Sequence, residues 1–174
     1  MDAAGHLPCT PLGVMELLRR TQNEQRGGGS DDAAPLDLAG KHVVIVGRSN
    51  IVGLPSALMA LHADATVSIC HSRTSPAALR QLCRSADVLV VGVGKPEFIQ
   101  GEWIPEGGVV IDVGVNYVDD DTRKSGYRVC GDVDYEAAAV TATGEKVVVT
   151  GLTSSASASV KVSGEKVVAA GQAE

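Results

Sequence analysis

Four short apolar runs punctuate the middle of the chain: Val-Val-Ile-Val at 43–46, Thr-Val-Ser-Ile-Cys at 66–70, Val-Leu-Val-Val at 88–91 and Val-Val-Ile-Asp-Val at 109–113. Each has the length of a strand, is rich in β-branched residues and gives way to a Gly or Ser turn. Nearly continuous apolar character suits strands covered on both faces, as in a parallel sheet. Between the runs, 55–62 and 76–84 carry helical patterns. The β-α-β-α alternation predicts right-handed crossovers and an α/β fold, a Rossmann-like doubly wound parallel sheet.

The flanks are less regular. Leu12, Met15 and Leu18 recur at helical spacing, predicting an amphipathic helix over 12–20. Residues 21–35, with Gly27-Gly28-Gly29-Ser30 inside them, read as a surface loop. A short helix is expected at 135–140 and a fifth strand at 147–149. From 154 onward Ser, Ala, Gly and Lys dominate and no fixed packing is expected. The expected organisation is a loop, short helix and linker over 1–39, one nucleotide-binding domain over 40–150, and a low-complexity tail over 151–174.

Composition narrows the function classes. Hydrophobic residues make up 44% of the 174 but aromatic ones only 3%, so the core must be built from Val, Ala, Leu and Ile. Acidic residues outnumber basic ones 21 to 15, and no basic run could follow a phosphate backbone, which argues against nucleic acid. The apolar runs fall far short of the roughly 18 residues of a membrane span. Residues 1–7 lack the pattern of a secretory signal. Cys9, Cys70, Cys83 and Cys130 show no paired spacing. They read as reduced thiols of the cytoplasm, with a mitochondrial location left open.

The chemistry gathers after the first strand, at Gly47-Arg48-Ser49-Asn50-Ile51-Val52-Gly53-Leu54-Pro55. A dinucleotide fold places its pyrophosphate at this strand-to-helix turn, where residues without bulk let backbone N–H groups approach. The spacing is GxSxxxG rather than GxGxxG. Glycine turns also occur merely to close corners, so this motif alone decides little. About 20 residues on, where an NAD-specific fold carries an acid for the ribose 2′-hydroxyl, the chain reads Cys70-His71-Ser72-Arg73-Thr74. Ser72 and Arg73, with Arg48, favour NADP over NAD; the competing reading is that Arg73 caps a solvated turn. His71 has no other His, Cys or acid near it in sequence, which favours a structural role, and no metal site is expected. Asp112 stands near the end of the fourth strand. It is either functional or a buried acid that satisfies backbone donors, and sequence leaves both open. Val115 and Asn116 fall towards the nicotinamide side.

Five strings occur in order: Pro8-Cys9-Thr10-Pro11, then Gly47-Arg48-Ser49 with Gly53-Leu54-Pro55, then His71-Ser72-Arg73-Thr74, then Ile111-Asp112-Val113-Gly114-Val115-Asn116, then Gly131-Asp132-Val133-Asp134. Together they closely resemble the methylenetetrahydrofolate dehydrogenase/cyclohydrolase family. The resemblance implies that Gly47, Arg48 and Ser49 line the NADP pyrophosphate and ribose, Ser72 and Arg73 the 2′-phosphate, and Val115 the nicotinamide. It also implies oxidation of 5,10-methylenetetrahydrofolate by NADP, then hydrolysis of the methenyl product to 10-formyltetrahydrofolate.

The family also places, ahead of its Pro-Cys-Thr-Pro loop, a folate-binding domain carrying a tyrosine and, four residues later, the cyclohydrolase lysine. Here seven residues precede Pro8, and the positions four after Tyr117, Tyr127 and Tyr135 are Asp121, Gly131 and Ala139. No catalytic residue is therefore expected in this chain, and folate is expected as substrate only with a folate-binding domain supplied from elsewhere. The family's Pro-Gly-Gly-Val-Gly-Pro segment is replaced by Val-Thr-Ala-Thr-Gly-Glu-Lys at 140–146; a fragment, a shifted frame or a diverged paralogue would each give such an end. The expectation is the cofactor-binding half of such an enzyme. Alternatives are a non-catalytic NADP-binding module, an inactive truncated paralogue or, more weakly, an oxidoreductase of the shikimate dehydrogenase type. A homodimer through an uncovered sheet face or edge strand is also open.

Overall fold

The four apolar runs become β1 His42–Val46, β2 Thr66–Cys70, β3 Val88–Val91 and β4 Val109–Asp112 in the computed structural model. It describes residues 7–26, 35–140, 147–150, 161–163 and 166–169. Helices α2, Gly53–His62, and α3, Pro76–Arg84, connect the first three strands. Ser75 starts α3, its hydroxyl accepting from the Ala78 amide at 3.3 Å with Pro76 in the first turn. A single 3-10 turn, Gly101–Trp103, and a later helix α4, Tyr135–Val140, complete the framework around β4.

β1 pairs in parallel with β2 on one side and β3 on the other, and β3 pairs with β4. The period of two along each strand sorts side chains into two cores. Val43, Ile45, Val88, Val90, Val109 and Ile111 face α2 and the N-terminal helix. Val44, Val46, Leu89, Val91 and Val110 face α3, Trp103 and Ala138. Both faces are covered, and β3 and β4 are buried at every position. Each such side chain contributes about 1.5–3 kcal/mol by leaving water, which is how a core almost without aromatics suffices.

Three features differ from the sequence expectation. The N-terminal helix α1 runs Cys9–Gln25, longer than 12–20 at both ends. Pro11 is tolerated because the first turn needs no N–H from it. At the other end, polar Thr21 and Asn23 are each only 2% exposed, so burial prolongs the helix through residues that read as loop. The rest of that loop, 27–34, lies outside the described residues. Second, β5 Asn116–Asp119 and β6 Tyr127–Cys130 form an antiparallel hairpin that was not anticipated.

Third, the tail is not without regular structure. The fifth strand, β7 Val147–Thr150, lies parallel beside β4. Beyond it, β8 Lys161–Ser163 and β9 Lys166–Ala169 extend the sheet, giving the order β2-β1-β3-β4-β7-β9-β8. β9 pairs in parallel with β7, which gives its strand-forming Val167-Val168 a partner that composition alone does not reveal. Residues 141–146, 151–160, 164–165 and 170–174 lie outside the described residues, including most of the segment where the family pattern is replaced.

Candidate functional site

The chain leaves β1 towards β2 on one side and returns to β3 on the other, so the strand order reverses between β1 and β3. Ligands of open α/β sheets bind beyond the strand C-termini at such a reversal. Here the strand ends are level. Gly47 N donates to Cys70 O, Gly92 N to Val46 O and Val113 N to Val91 O, each at 2.9 Å.

Glycine is required at the mouth of this crevice. Gly47 has φ +124, and a β-carbon there would run into the Gly92 carbonyl. A β-carbon on Gly53 would run into the Gly47 carbonyl. Loop, helix start and β3 thus meet through backbone alone. Ser49 closes the loop: its hydroxyl oxygen accepts from Val52 N at 3.1 Å and Gly53 N at 3.3 Å. The Gly53 amide is the first of α2 and Val52 is the residue before it; with Leu54 N donating to Ser49 O at 3.0 Å, the start of the helix is occupied. The amides of Arg48, Ser49, Asn50 and Ile51 have no partner among the described residues. The Arg48, Ser49 and Asn50 residues are exposed.

At the end of β2, His71 shapes a turn. Its Nδ1 accepts from Arg73 N at 3.1 Å, its own N–H donates to Thr74 Oγ1 at 3.0 Å, and Thr74 N donates to its carbonyl at 2.8 Å. This accounts for His71 structurally. Ser72 and Arg73 point out of the same turn as exposed residues. Among the described residues, neither the Arg48 nor the Arg73 guanidinium makes a hydrogen bond or ion pair. The structure therefore brings Gly47, Arg48 and Ser49 beside Ser72 and Arg73, on the loops of two hydrogen-bonded neighbouring strands.

Val115 lies on the other side of the reversal, beyond β4, and is 39% exposed. Between it and the phosphate loop comes the β3 loop, which sequence did not single out. Two buried acids shape this side. Asp112, 1% exposed, accepts from Gly114 N and Val133 N, both at 2.8 Å. Of the two readings left open for it, the one the geometry supplies is satisfaction of backbone donors. Burial pushes its carboxyl up from 3.8 to about 6, against those hydrogen bonds, and the neighbouring Asp132 adds to the rise. Asp132, 0% exposed, accepts from Val93 N at 2.6 Å, Gly94 N at 2.8 Å, Lys95 N at 2.9 Å and Asn116 Nδ2 at 2.8 Å. Its string Gly131-Asp132-Val133-Asp134 was visible as a motif, but its partners lie 16 to 39 residues away. A cavity of about 90 Å³ lined by Leu18, Thr21, Leu38, Asp87 and Val109 sits at the opposite end of the sheet.

Residues 8–154 match the model of the tetrahydrofolate dehydrogenase/cyclohydrolase NAD(P)-binding domain. The chain belongs to this family. A bifunctional protein FolD of Caldicellulosiruptor saccharolyticus is 47% identical over 129 residues, 74% of this chain and 39% of that protein. A cytoplasmic C-1-tetrahydrofolate synthase of Spodoptera frugiperda is 44% identical over 137 residues, 79% of this chain and 13% of that one. The solved Trypanosoma brucei N5,N10-methylenetetrahydrofolate dehydrogenase-cyclohydrolase, complexed with NADP cofactor and inhibitor, superposes with a TM-score of 0.64 at 39% identity; the match covers 76% of this chain and 40% of that one. The chain thus spans less than half the length of these relatives. No helix among its described residues is long and apolar enough to cross a membrane.

Proposed function

We propose that the crevice holds NADP, and that the chain acts as the cofactor-binding part of a methylenetetrahydrofolate dehydrogenase/cyclohydrolase. The observation that carries this reading is the pair of guanidinia, Arg48 and Arg73, unpaired among the described residues and on adjacent loops. No acid stands at the end of β2 to hold a ribose 2′-hydroxyl. A guanidinium pairs with a phosphate dianion through charge-assisted bonds, and a pair of them favours the 2′-phosphate that distinguishes NADP from NAD.

The amides of residues 48–51, without partners among the described residues, serve the pyrophosphate in this reading as backbone donors around an anion. Ser49 serves the same end: its oxygen accepts two N–H bonds, which leaves its own O–H to donate outward. Ser72 adds a hydroxyl beside Arg73, and Val115 an apolar contact at the nicotinamide end. When bound, the cofactor supplies the hydride acceptor. This chain's residues bind and orient it.

On this reading folate oxidation and hydrolysis take a folate-binding part beside the cofactor site, and for the hydrolysis no tyrosine in the given sequence is followed at four residues by a lysine. A homodimer and a cytoplasmic site of action are compatible with this reading. Calorimetric titration with NADP and NAD tests it. NADP should bind saturably and more tightly than NAD, and Arg73→Ala should weaken NADP by about 10- to 100-fold while changing NAD less than about twofold. Equal affinity for the two nucleotides, or no saturable binding of NADP, would overturn it.

A further inference from the structure

We infer that Asp132 is a positioning residue for the nicotinamide half of the cofactor: one carboxylate fixes both walls of the crevice beyond β3 and β4. This rests on the proposed NADP reading and deepens it. The first wall is the β3 loop, whose consecutive amides at Val93, Gly94 and Lys95 all donate to the carboxylate. The second is the turn from β4 into β5, whose Asn116 donates its side-chain amide to Oδ1. Gly114 of the same turn is pressed so closely on the carboxyl that a β-carbon would collide with it. Both walls stand on the far side of the reversal from Arg73, and the β3 loop starts at Gly92, whose carbonyl abuts Gly47 of the phosphate loop.

The arrangement needs an aspartate. A fully buried carboxylate is costly unless its lone pairs are met, and here four donors meet them while no Lys or Arg side chain pairs with it among the described residues. An asparagine of the same shape would turn an N–H towards one or two of those donors and release part of the turn. The fold has separate holds on the neighbouring residues. Glu97 N donates to Gly131 O at 3.0 Å, Ile99 N to Asp132 O at 3.0 Å and Asp134 N to Ile99 O at 2.9 Å, all through backbone atoms that a side-chain change leaves in place. Loss of the carboxylate should therefore loosen the crevice wall before it unfolds the domain.

The test compares NADP with adenosine 2′,5′-bisphosphate, which carries the 2′-phosphate but no nicotinamide. Both should bind the wild-type chain in calorimetric titration. Asp132→Asn should weaken NADP by about tenfold and leave the bisphosphate within about twofold. If circular dichroism shows that this variant does not fold, Asn116→Ala, which removes one donor and keeps the three amide bonds, decides the matter by a selective loss of NADP of about threefold or more. Equal losses for both probes, or no loss for either, overturn the positioning role while leaving the NADP reading intact. A wild-type chain that binds neither probe overturns both.

Discussion

Replacing Asp112 by asparagine separates the cost of a buried charge from the benefit of the hydrogen bonds around it. The folded carboxyl holds its proton to about pH 6, against an ordinary 3.8, because burial outweighs the amides of Gly114 and Val133. Since the folded value is the raised one, the folded chain binds more protons than the unfolded chain between about pH 4 and 6. The stabilisation is fully present below 3.8 and is lost as pH rises through 6. The gap of about 2.2 pH units, at about 1.4 kcal/mol each, sets a ceiling of about 3 kcal/mol. Screening by solvent takes little from this, because the side chain is 1% exposed.

Other carboxylates work in the opposite direction. Glu16, drawn down to about 2 by hydrogen bonds from Arg19 and Arg20, and Glu97, lowered by Arg128, both favour the folded chain at higher pH. Their side chains are 42% and 40% exposed, so their effect is heavily screened. The comparison with Asp112→Asn cancels them. Asparagine loses one acceptor, at a cost of about 1–3 kcal/mol that does not vary with pH. Urea unfolding of both chains from pH 4 to 7.5 should show the wild-type advantage greatest at pH 4 and smaller by about 2.4 kcal/mol at pH 7, the rest of the ceiling lying below pH 4. A difference that stays flat, or widens with pH, refutes the buried-charge reasoning.

Two further outcomes follow from packing. Gly47→Ala should destabilise the chain by about 3 kcal/mol or more in urea, because its φ of +124 and the Gly92 carbonyl leave no room for a methyl. Gly94→Ala, with φ +66 and open space around it, should cost only about 1–2 kcal/mol, and equal losses at the two sites would contradict the close approach. In a brief iodoacetamide pulse read by mass spectrometry, exposed Cys9 should label in the native chain. Buried Cys83, its thiol pushed up to about 12 chiefly by burial, should label only after unfolding. Early labelling of Cys83 would mean that the α3 face opens readily.

What sequence disclosed and what it hid divide by range. The four strands were legible because each is a local run rich in β-branched residues, and three of them lie inside the sheet, while β2 at its edge stays partly exposed. Arg48 and Ser49 fall on a loop next to that of Ser72 and Arg73 because a βαβ unit brings the ends of β1 and β2 together by construction. The hairpin was missed because Asn116–Asp119 and Tyr127–Cys130 alternate only over four residues each, and their pairing depends on a turn of seven. The extension of α1 was missed because Thr21 and Asn23 look like loop residues until packing buries them. Asp132 was visible as part of a motif but not as a hub, because its donors come from two other loops.

The phosphate loop shows how a departure from a familiar spacing becomes chemistry. In GxGxxG the short turn delivers the first amides of the helix to the pyrophosphate. Here one residue more separates the turn from Gly53, and Ser49 takes the Val52 and Gly53 amides for itself. Among the described residues the amides of 48–51 and the Arg48 guanidinium have no partner, and on the proposed reading it is they, with a full charge on Arg48, that meet the phosphates in place of a helix terminus carrying about half of one. An exposed guanidinium is screened by salt more readily than buried dipoles are. On the proposed NADP reading, the serine is therefore more than a substitute for glycine: by occupying the Val52 and Gly53 amides it leaves the loop amides and Arg48 to meet the phosphates.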